Sequence, residues 1–172
     1  MRHLAVRVAV LATFFMLAPA AEAQDKAKAE LKNDKGESVG SVELTQTPHG
    51  VLLQVDLSSI APGEHAFHLH GVGKCELPFK SAGDHFNPEG KKHGLLAAEG
   101  AHAGDMPNLH VPDSGKLTVE ILNAAVTLSK GPKNSLFQEG GTALIIHAGV
   151  DDYQTDPAGN AGDRIACGVV QY

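Results

Sequence analysis

The sequence has no tryptophan, only two cysteines, no internal repeat, no low-complexity tract and no excess of basic residues. Fourteen Lys+Arg against twenty Asp+Glu give a formal charge of −6. An acidic balance with no Lys/Arg stripe interleaved with aromatics excludes a nucleic-acid groove, so an anionic partner has to be met by a local basic spot. No apolar run reaches the ~20 residues that a bilayer crossing needs. What is present, 172 residues of which 42% are hydrophobic, excludes a disordered chain and fits one soluble domain with a real core.

Arg2 and Arg7 precede a short apolar run, Val8 to Ala18, and Ala21-Glu22-Ala23 supplies a small-x-small cleavage site. This pattern predicts a secretory signal over residues 1–23 and a domain over 24–172, exported and most simply periplasmic, with no membrane segment once the signal is cleaved. A buried N-terminal helix is the alternative. In an oxidising compartment the two cysteines, Cys75 and Cys167, favour a disulfide over a reduced or metal-binding pair.

The rest of the chain reads as strands and turns. Lys26–Asn33, Ser38–Thr45 and Val51–Ser58 form a predicted meander, separated by Asn33-Asp34-Lys35-Gly36 and Pro48-His49-Gly50. Further strands are expected at His65–His70, Lys116–Leu122, Ala125–Ser129, Thr142–His147 and Arg164–Gln171. Eight short strands predict an all-β sandwich or barrel. Gly71 to Asp113 and Ala148 to Asp163 lack a strand pattern, and long loops inside a compact domain are usually functional.

The first of these stretches is rich in histidine. In Phe67-His68-Leu69-His70 the strand period of two puts His68 and His70 on one face, with Phe67 and Leu69 turned to the core. Alone, a His-x-His pair is weak evidence and is more often the polar face of a partly exposed strand than a metal site. His85, His93, His102 and Asp105 then supply three imidazoles and a carboxylate, a closed four-coordinate set of the kind zinc favours, with no open position for water. His147 ends an apolar strand and could reach back to His68 and His70.

Taken in order, these residues resemble the copper/zinc superoxide dismutase family. The match runs from Gly63-Glu64-His65-Ala66-Phe67-His68-Leu69-His70 to Gly162-Asp163-Arg164-Ile165-Ala166-Cys167-Gly168-Val169. The resemblance implies an eight-stranded Greek-key β-barrel with two long functional loops, this enzyme being one of the sandwich-type architectures. It implies copper on His68, His70, His85 and His147, and zinc on His85, His93, His102 and Asp105, with His85 as the bridge. It implies a Cys75–Cys167 disulfide, an active-site Arg164, and an Asp151 that joins a copper histidine to a zinc histidine. The implied partner is superoxide, converted to O2 and hydrogen peroxide as copper alternates between Cu(II) and Cu(I), with His85 carrying a proton. Copper fits the role because zinc has one oxidation state and imidazoles suit divalent copper. A homodimer is an open possibility, since members of the family assemble through different surfaces.

Other polar residues have plainer readings. Asp152 and Asp156 are expected to be solvated, as are Lys91 and Lys92. His65 is expected to be a hydrogen-bonded core histidine, and His49 and His110 are not expected to be ligands. Between His147 and Arg164 there are four aspartates and no lysine, so the family's familiar steering charges are missing and Lys74 or Lys80 become the candidates. An exported enzyme is the leading function. A non-catalytic copper-binding or metallochaperone module, and a sandwich merely stapled by zinc, are the alternatives; both are disfavoured because all the copper-ligand positions and Arg164 are present.

Overall fold

The computed structural model describes residues 25–172, and the expected signal over 1–23 lies outside the described residues. Nine strands run in chain order: β1 (Lys26–Asn33), β2 (Ser38–Thr47), β3 (Gly50–Leu57), β4 (Gly63–His65), β5 (Phe67–His70), β6 (Leu109–Val111), β7 (Leu117–Asn123), β8 (Ala143–His147) and β9 (Arg164–Val169). Among the described residues there is no α-helix, only a 3-10 turn at Lys80–Ala82. An antiparallel sheet of order β5-β8-β9-β1-β2-β3-β7 carries seven strands, and β4 pairs with β6 in a second sheet. β4 and β5 are one extended run interrupted at Ala66, while β6 leads through a turn into β7. The small sheet therefore connects the two edges of the curled large one, and the architecture is the all-β barrel expected.

The alternation of the meander explains its faces. In β1 Ala27, Ala29 and Leu31 point inward and Lys26, Lys28 and Glu30 outward. Val51, Leu53, Val55 and Leu57 do the same for β3. The β1–β2 turn is held by Asn33, whose side-chain oxygen accepts the N–H groups of Lys35 and Glu37.

β8 does not alternate, because it is buried on both faces. Leu144 and Ile146 enter the main core. Ala143 and Ile145 pack on the outer side with Phe79, Ala82 and Cys167, under the segment that carries Cys75. Cys75 and Cys167 are disulfide-bonded, tying that segment to β9.

Two expectations for the strands need correction. Ala125–Ser129 is not a strand: its backbone pairing is a single bridge from Thr127 to Ser135, and Gln46 Oε1 accepts the Leu128 N–H and the Thr127 hydroxyl. The expected His65–His70 strand is divided, and Leu109–Val111, inside a stretch read as strandless, is its short partner through β4.

Candidate metal centre

β5 pairs with β8 so that His68 lies opposite Ile145 and His70 opposite Ala143. Strand parity thus places His68, His70 and His147 on the outer face of the barrel, while Phe67 and Leu69 are in the main core. β5 is an end strand, and its free edge is occupied by the histidine-rich loop. The Leu69 N–H donates to Gly104 O (2.9 Å), the Phe86 N–H to Leu69 O (2.8 Å) and the Gly104 N–H to Phe86 O (2.9 Å). A Cβ at position 104 would stand 2.3 Å from Leu69 O, so only glycine permits this approach. The docking brings His85 beside His70 and Asp105 beside His68.

Six histidines and two aspartates, all buried, converge there. His68, His70, His85 and His147 form one group that could hold a metal, and His85, His93, His102 and Asp105 a second, the potential ligand atoms within 4.8 Å of one another. In the first group each ring uses one nitrogen elsewhere. His68 Nε2–H donates to Asp151 Oδ2 (2.8 Å), His70 Nδ1–H to Gly83 O (2.9 Å) and His147 Nδ1–H to Gly162 O (3.2 Å). His85 turns Nδ1 toward Asp105 Oδ1 at 2.9 Å. The remaining nitrogens, His68 Nδ1, His70 Nε2, His85 Nε2 and His147 Nε2, are buried without any hydrogen-bond partner. Four such orphans facing one point would be costly unless a cation accepted their lone pairs.

The second group passes a geometric test. Asp105 Oδ1 lies 2.9 Å from His85 Nδ1, 3.1 Å from His93 Nδ1 and 3.3 Å from His102 Nδ1, and His102 Nδ1 is 3.4 Å from His85 Nδ1. A tetrahedron with zinc–ligand bonds of about 2.0–2.1 Å has edges of about 3.3 Å, so the four atoms are spaced to receive zinc.

The electrostatics suit cations. Burial, with the His85 ring next, pushes His70 down to about 2. Burial and then the His68 ring bring His147 to about 3, and burial outweighs the Asp105 contact to bring His85 to about 4. These rings are neutral at neutral pH, the form that ligates metal. Burial works against charge on His93 too, but the carboxylates of Asp105 and Asp151 outweigh it and raise that ring to about 9. Burial opposes ionisation of Asp105 and Asp151 as well. The surrounding histidines nonetheless hold both carboxyls well below the usual range.

Arg164 begins β9, three residues before Cys167, and its half-buried guanidinium donates to Phe79 O and Gly83 O, both at 2.7 Å. It lines a cleft of about 870 Å³ together with Lys80, Gly83, Asp84, Gly162 and Asp163. Gly83 and Gly162 are also the residues whose carbonyls orient His70 and His147, so the cleft lies beside the first histidine group.

Residues 38–170 match the family model described as copper/zinc superoxide dismutase (SODC). The chain belongs to the copper/zinc superoxide dismutase family. It is 61% identical over 148 residues to "Superoxide dismutase [Cu-Zn] 1" of Aquifex aeolicus, covering 85% of this chain and 88% of that one. It is 58% identical over 165 residues to "Superoxide dismutase [Cu-Zn] 2" of the same organism, covering 94% and 96%. Among solved structures, a double mutant of a SOD-like protein from Bacillus subtilis superposes with a TM-score of 0.82 at 40% identity, covering 84% of this chain and 97% of that chain.

The family's cofactors are copper and zinc, and the two residue groups above are where this superoxide dismutase could hold them. All seven expected ligand residues are brought together, with Asp151 between the groups: His93 Nε2–H donates to its Oδ1 at 2.9 Å, as His68 does to Oδ2. His65 is a buried histidine facing His147 O and Ala61 O, in keeping with its core reading. His49 and His110 stay outside both groups, and Lys91 and Lys92 are exposed, paired with Glu89 and Glu99.

Asp156 departs from its solvated reading: although exposed, it accepts the His93 N–H at 2.8 Å and so restrains the zinc-type loop. Three residues had no sequence signal. Asn108 exchanges two 2.9 Å hydrogen bonds with the backbone of Asp151, while the Tyr153 hydroxyl accepts the Asn108 N–H at 2.7 Å. Gly159 leaves room for Asp151, since a Cβ there would stand 1.8 Å from Asp151 Oδ1.

Proposed function

We propose that copper is held by His68 Nδ1, His70 Nε2, His85 Nε2 and His147 Nε2, and zinc by His85 Nδ1, His93 Nδ1, His102 Nδ1 and Asp105 Oδ1. His85 would then offer one nitrogen to each group, and superoxide would be dismutated beside Arg164 and the first histidine group. The observation that carries this reading is the set of four buried, unpartnered histidine nitrogens facing one point.

Bound copper would supply the one-electron redox chemistry that zinc lacks, two superoxide ions and two protons giving one O2 and one hydrogen peroxide. The chain's own residues do the rest. Arg164, charged at all ordinary pH and fixed to two carbonyls, presents N–H groups to an anion in the cleft. When His85 Nε2 is not engaged as a ligand, its lone pair can take up a proton and pass it to the departing peroxide, while Nδ1 stays turned toward Asp105. Asp151, receiving the Nε2 protons of His68 and His93, sets both tautomers and leaves both Nδ1 atoms free to ligate.

The reading extends to export, with the signal cleaved after Ala23 and the mature chain folding in the periplasm, supported by the leader pattern and by the disulfide. It also extends to assembly as a homodimer, which the mass of the mature chain in solution tests. The central experiment loads the purified mature chain with copper and zinc and follows superoxide decay by pulse radiolysis. Fast decay that is first order in superoxide and proportional to enzyme, with one copper and one zinc per chain, is expected; fully loaded protein that leaves superoxide to its spontaneous second-order decay would overturn the assignment.

A further inference from the structure

Tyr153 is one of two tyrosines in a chain without tryptophan, and it belongs to neither ligand group. Its backbone sits at a φ of 61°, in the left-handed region that a side chain disfavours, and such a conformation persists only where its surroundings hold it. Three contacts hold it here. The Tyr153 N–H donates to Asp151 Oδ1 at 2.7 Å, the same oxygen that receives the His93 Nε2–H. The Tyr153 carbonyl accepts the Leu96 N–H at 3.1 Å, and Gly94 lies so close against that carbonyl that it leaves no room for a Cβ. The Tyr153 hydroxyl accepts the Asn108 N–H at 2.7 Å.

These contacts reach both segments that flank the second metal group. Gly94 and Leu96 continue the segment of His93, and Asn108 that of Asp105; the Gly94 N–H in turn donates to Asp105 Oδ2 at 2.9 Å. Two of the three contacts are made by the Tyr153 backbone and ask nothing of the side chain. Only the hydroxyl requires a tyrosine. It closes a ring, since Asn108 is bonded in both directions to the backbone of Asp151, and Asp151 through its carboxylate to the Tyr153 N–H. Members of such a ring support one another, so opening it at one point loosens the rest.

We propose that Tyr153 is a positioning residue for the second metal group: its hydroxyl, through this ring, fixes the rotation of the Asp151 carboxylate and with it the direction of the His93 ring, and so slows the loss of zinc. This rests on the zinc assignment made above. Without the hydroxyl, the buried Asn108 N–H loses its acceptor and the left-handed turn loses the one contact that its side chain makes to hold it. Asp151 keeps both imidazole partners but no longer a fixed orientation, so the consequence falls on metal retention.

The test compares the metal-loaded mature protein with Tyr153→Phe, which keeps the ring and removes only the hydroxyl. Tyr172→Phe removes the chain's other phenol, on a ring stacked against Phe137. Two readouts are taken: the rate at which zinc passes to a chelator, and the ligand-field absorption of cobalt(II) placed in the zinc group, which reads the geometry of the donors. A double-mutant cycle with Asp151→Asn shows whether the tyrosine acts through that carboxylate. Tyr153→Phe should release zinc about three- to tenfold faster, with an altered cobalt spectrum, while Tyr172→Phe matches the unaltered protein. In the Asp151→Asn background the same substitution should change the release rate by less than about twofold. Zinc release and cobalt spectrum unchanged in Tyr153→Phe would overturn the proposal. An undiminished effect in the Asp151→Asn background would also overturn it, since the tyrosine would then be a general support of the loop. Unaltered protein that takes up neither zinc nor cobalt would overturn the zinc assignment itself, and the proposal with it.

Discussion

His70 and Arg164 donate to the same oxygen: the Gly83 carbonyl receives the His70 Nδ1–H at 2.9 Å and the Arg164 Nη2–H at 2.7 Å. One peptide group thus orients a ring of the copper-type set and places the guanidinium beside it. The guanidinium and the first histidine group are held in register by a single carbonyl.

Arg164 should therefore matter to turnover more than to metal content. Arg164→Lys keeps the charge but cannot span two carbonyls, so it should retain part of the dismutation rate; Arg164→Glu should lose most of it. Pulse radiolysis at matched copper loading checks this, and equal rates in the unaltered protein and Arg164→Glu would remove the docking role.

Since one ring serves both groups, His85→Ala should disturb both ions. The copper absorption band should shift and zinc content fall together. An unchanged copper spectrum with full zinc occupancy would reject the bridge.

The Asp151 carboxylate links His68 to His93, so losing it should weaken zinc retention by roughly 10–100-fold, the usual effect of removing a ligand's orienting partner. Gly159→Ala should act in the same direction by displacing that carboxylate, at a φ of 63° that already disfavours a side chain. Competition with a chelator measures it; zinc affinity unchanged in both variants would contradict the linking role.

Cys75→Ser opens a bond spanning 92 residues. Chain-entropy reasoning puts loss of such a closure at about 4–5 kcal/mol, with typical measured losses of ~2–5. The thermal midpoint should drop, and activity should fall as Phe79 and Gly83 release Arg164. A midpoint within about a degree of the unaltered protein's would mean that the loop is held without the bond.

Acid should destabilise the metal-free protein. His70, His147 and His85 have folded values of about 2, 3 and 4, below the 6.5 of a free imidazole, so the unfolded chain takes up protons first. Their contribution is complete above 6.5 and is lost progressively as pH falls toward the folded values. His93, raised to about 9, acts oppositely, losing its contribution as pH rises from 6.5 through 9. Calorimetry of chelator-treated protein should show the midpoint falling from pH 7 to 4.5; a midpoint constant or rising over that interval would mean that these rings are not buried neutral.

Much of this was legible in the residues. Alternation in Lys26–Asn33 and Gly50–Leu57 follows from one buried face, and the parity of His68 and His70 against Phe67 and Leu69 is a local property of any strand. Ala125–Ser129 misled because Val126 and Leu128 are buried as a strand's would be, while its hydrogen bonds go to a single bridge at Ser135 and to the side chain of Gln46, some eighty positions away. Leu109–Val111 was hidden because three residues are too few to display a period. Asp156 read as solvated because its exposure gives no hint of the His93 N–H that it meets.

By itself the sequence determined the inventory: six imidazoles and a carboxylate at spacings that resemble one family, two cysteines, and strands whose parity puts His68 and His70 outside the barrel's core. It left undecided which nitrogen of each ring would turn toward a metal. Only the tertiary structure settles that, because a ring's free nitrogen is whichever one its neighbours do not use. The neighbours here, the Gly83 and Gly162 carbonyls and the Asp151 and Asp105 carboxylates, come from segments far apart in the chain. The cleft beside Arg164 is of the same kind, since Asp34, Lys80, Asp84 and Asp163 come to share its walls only in the folded chain.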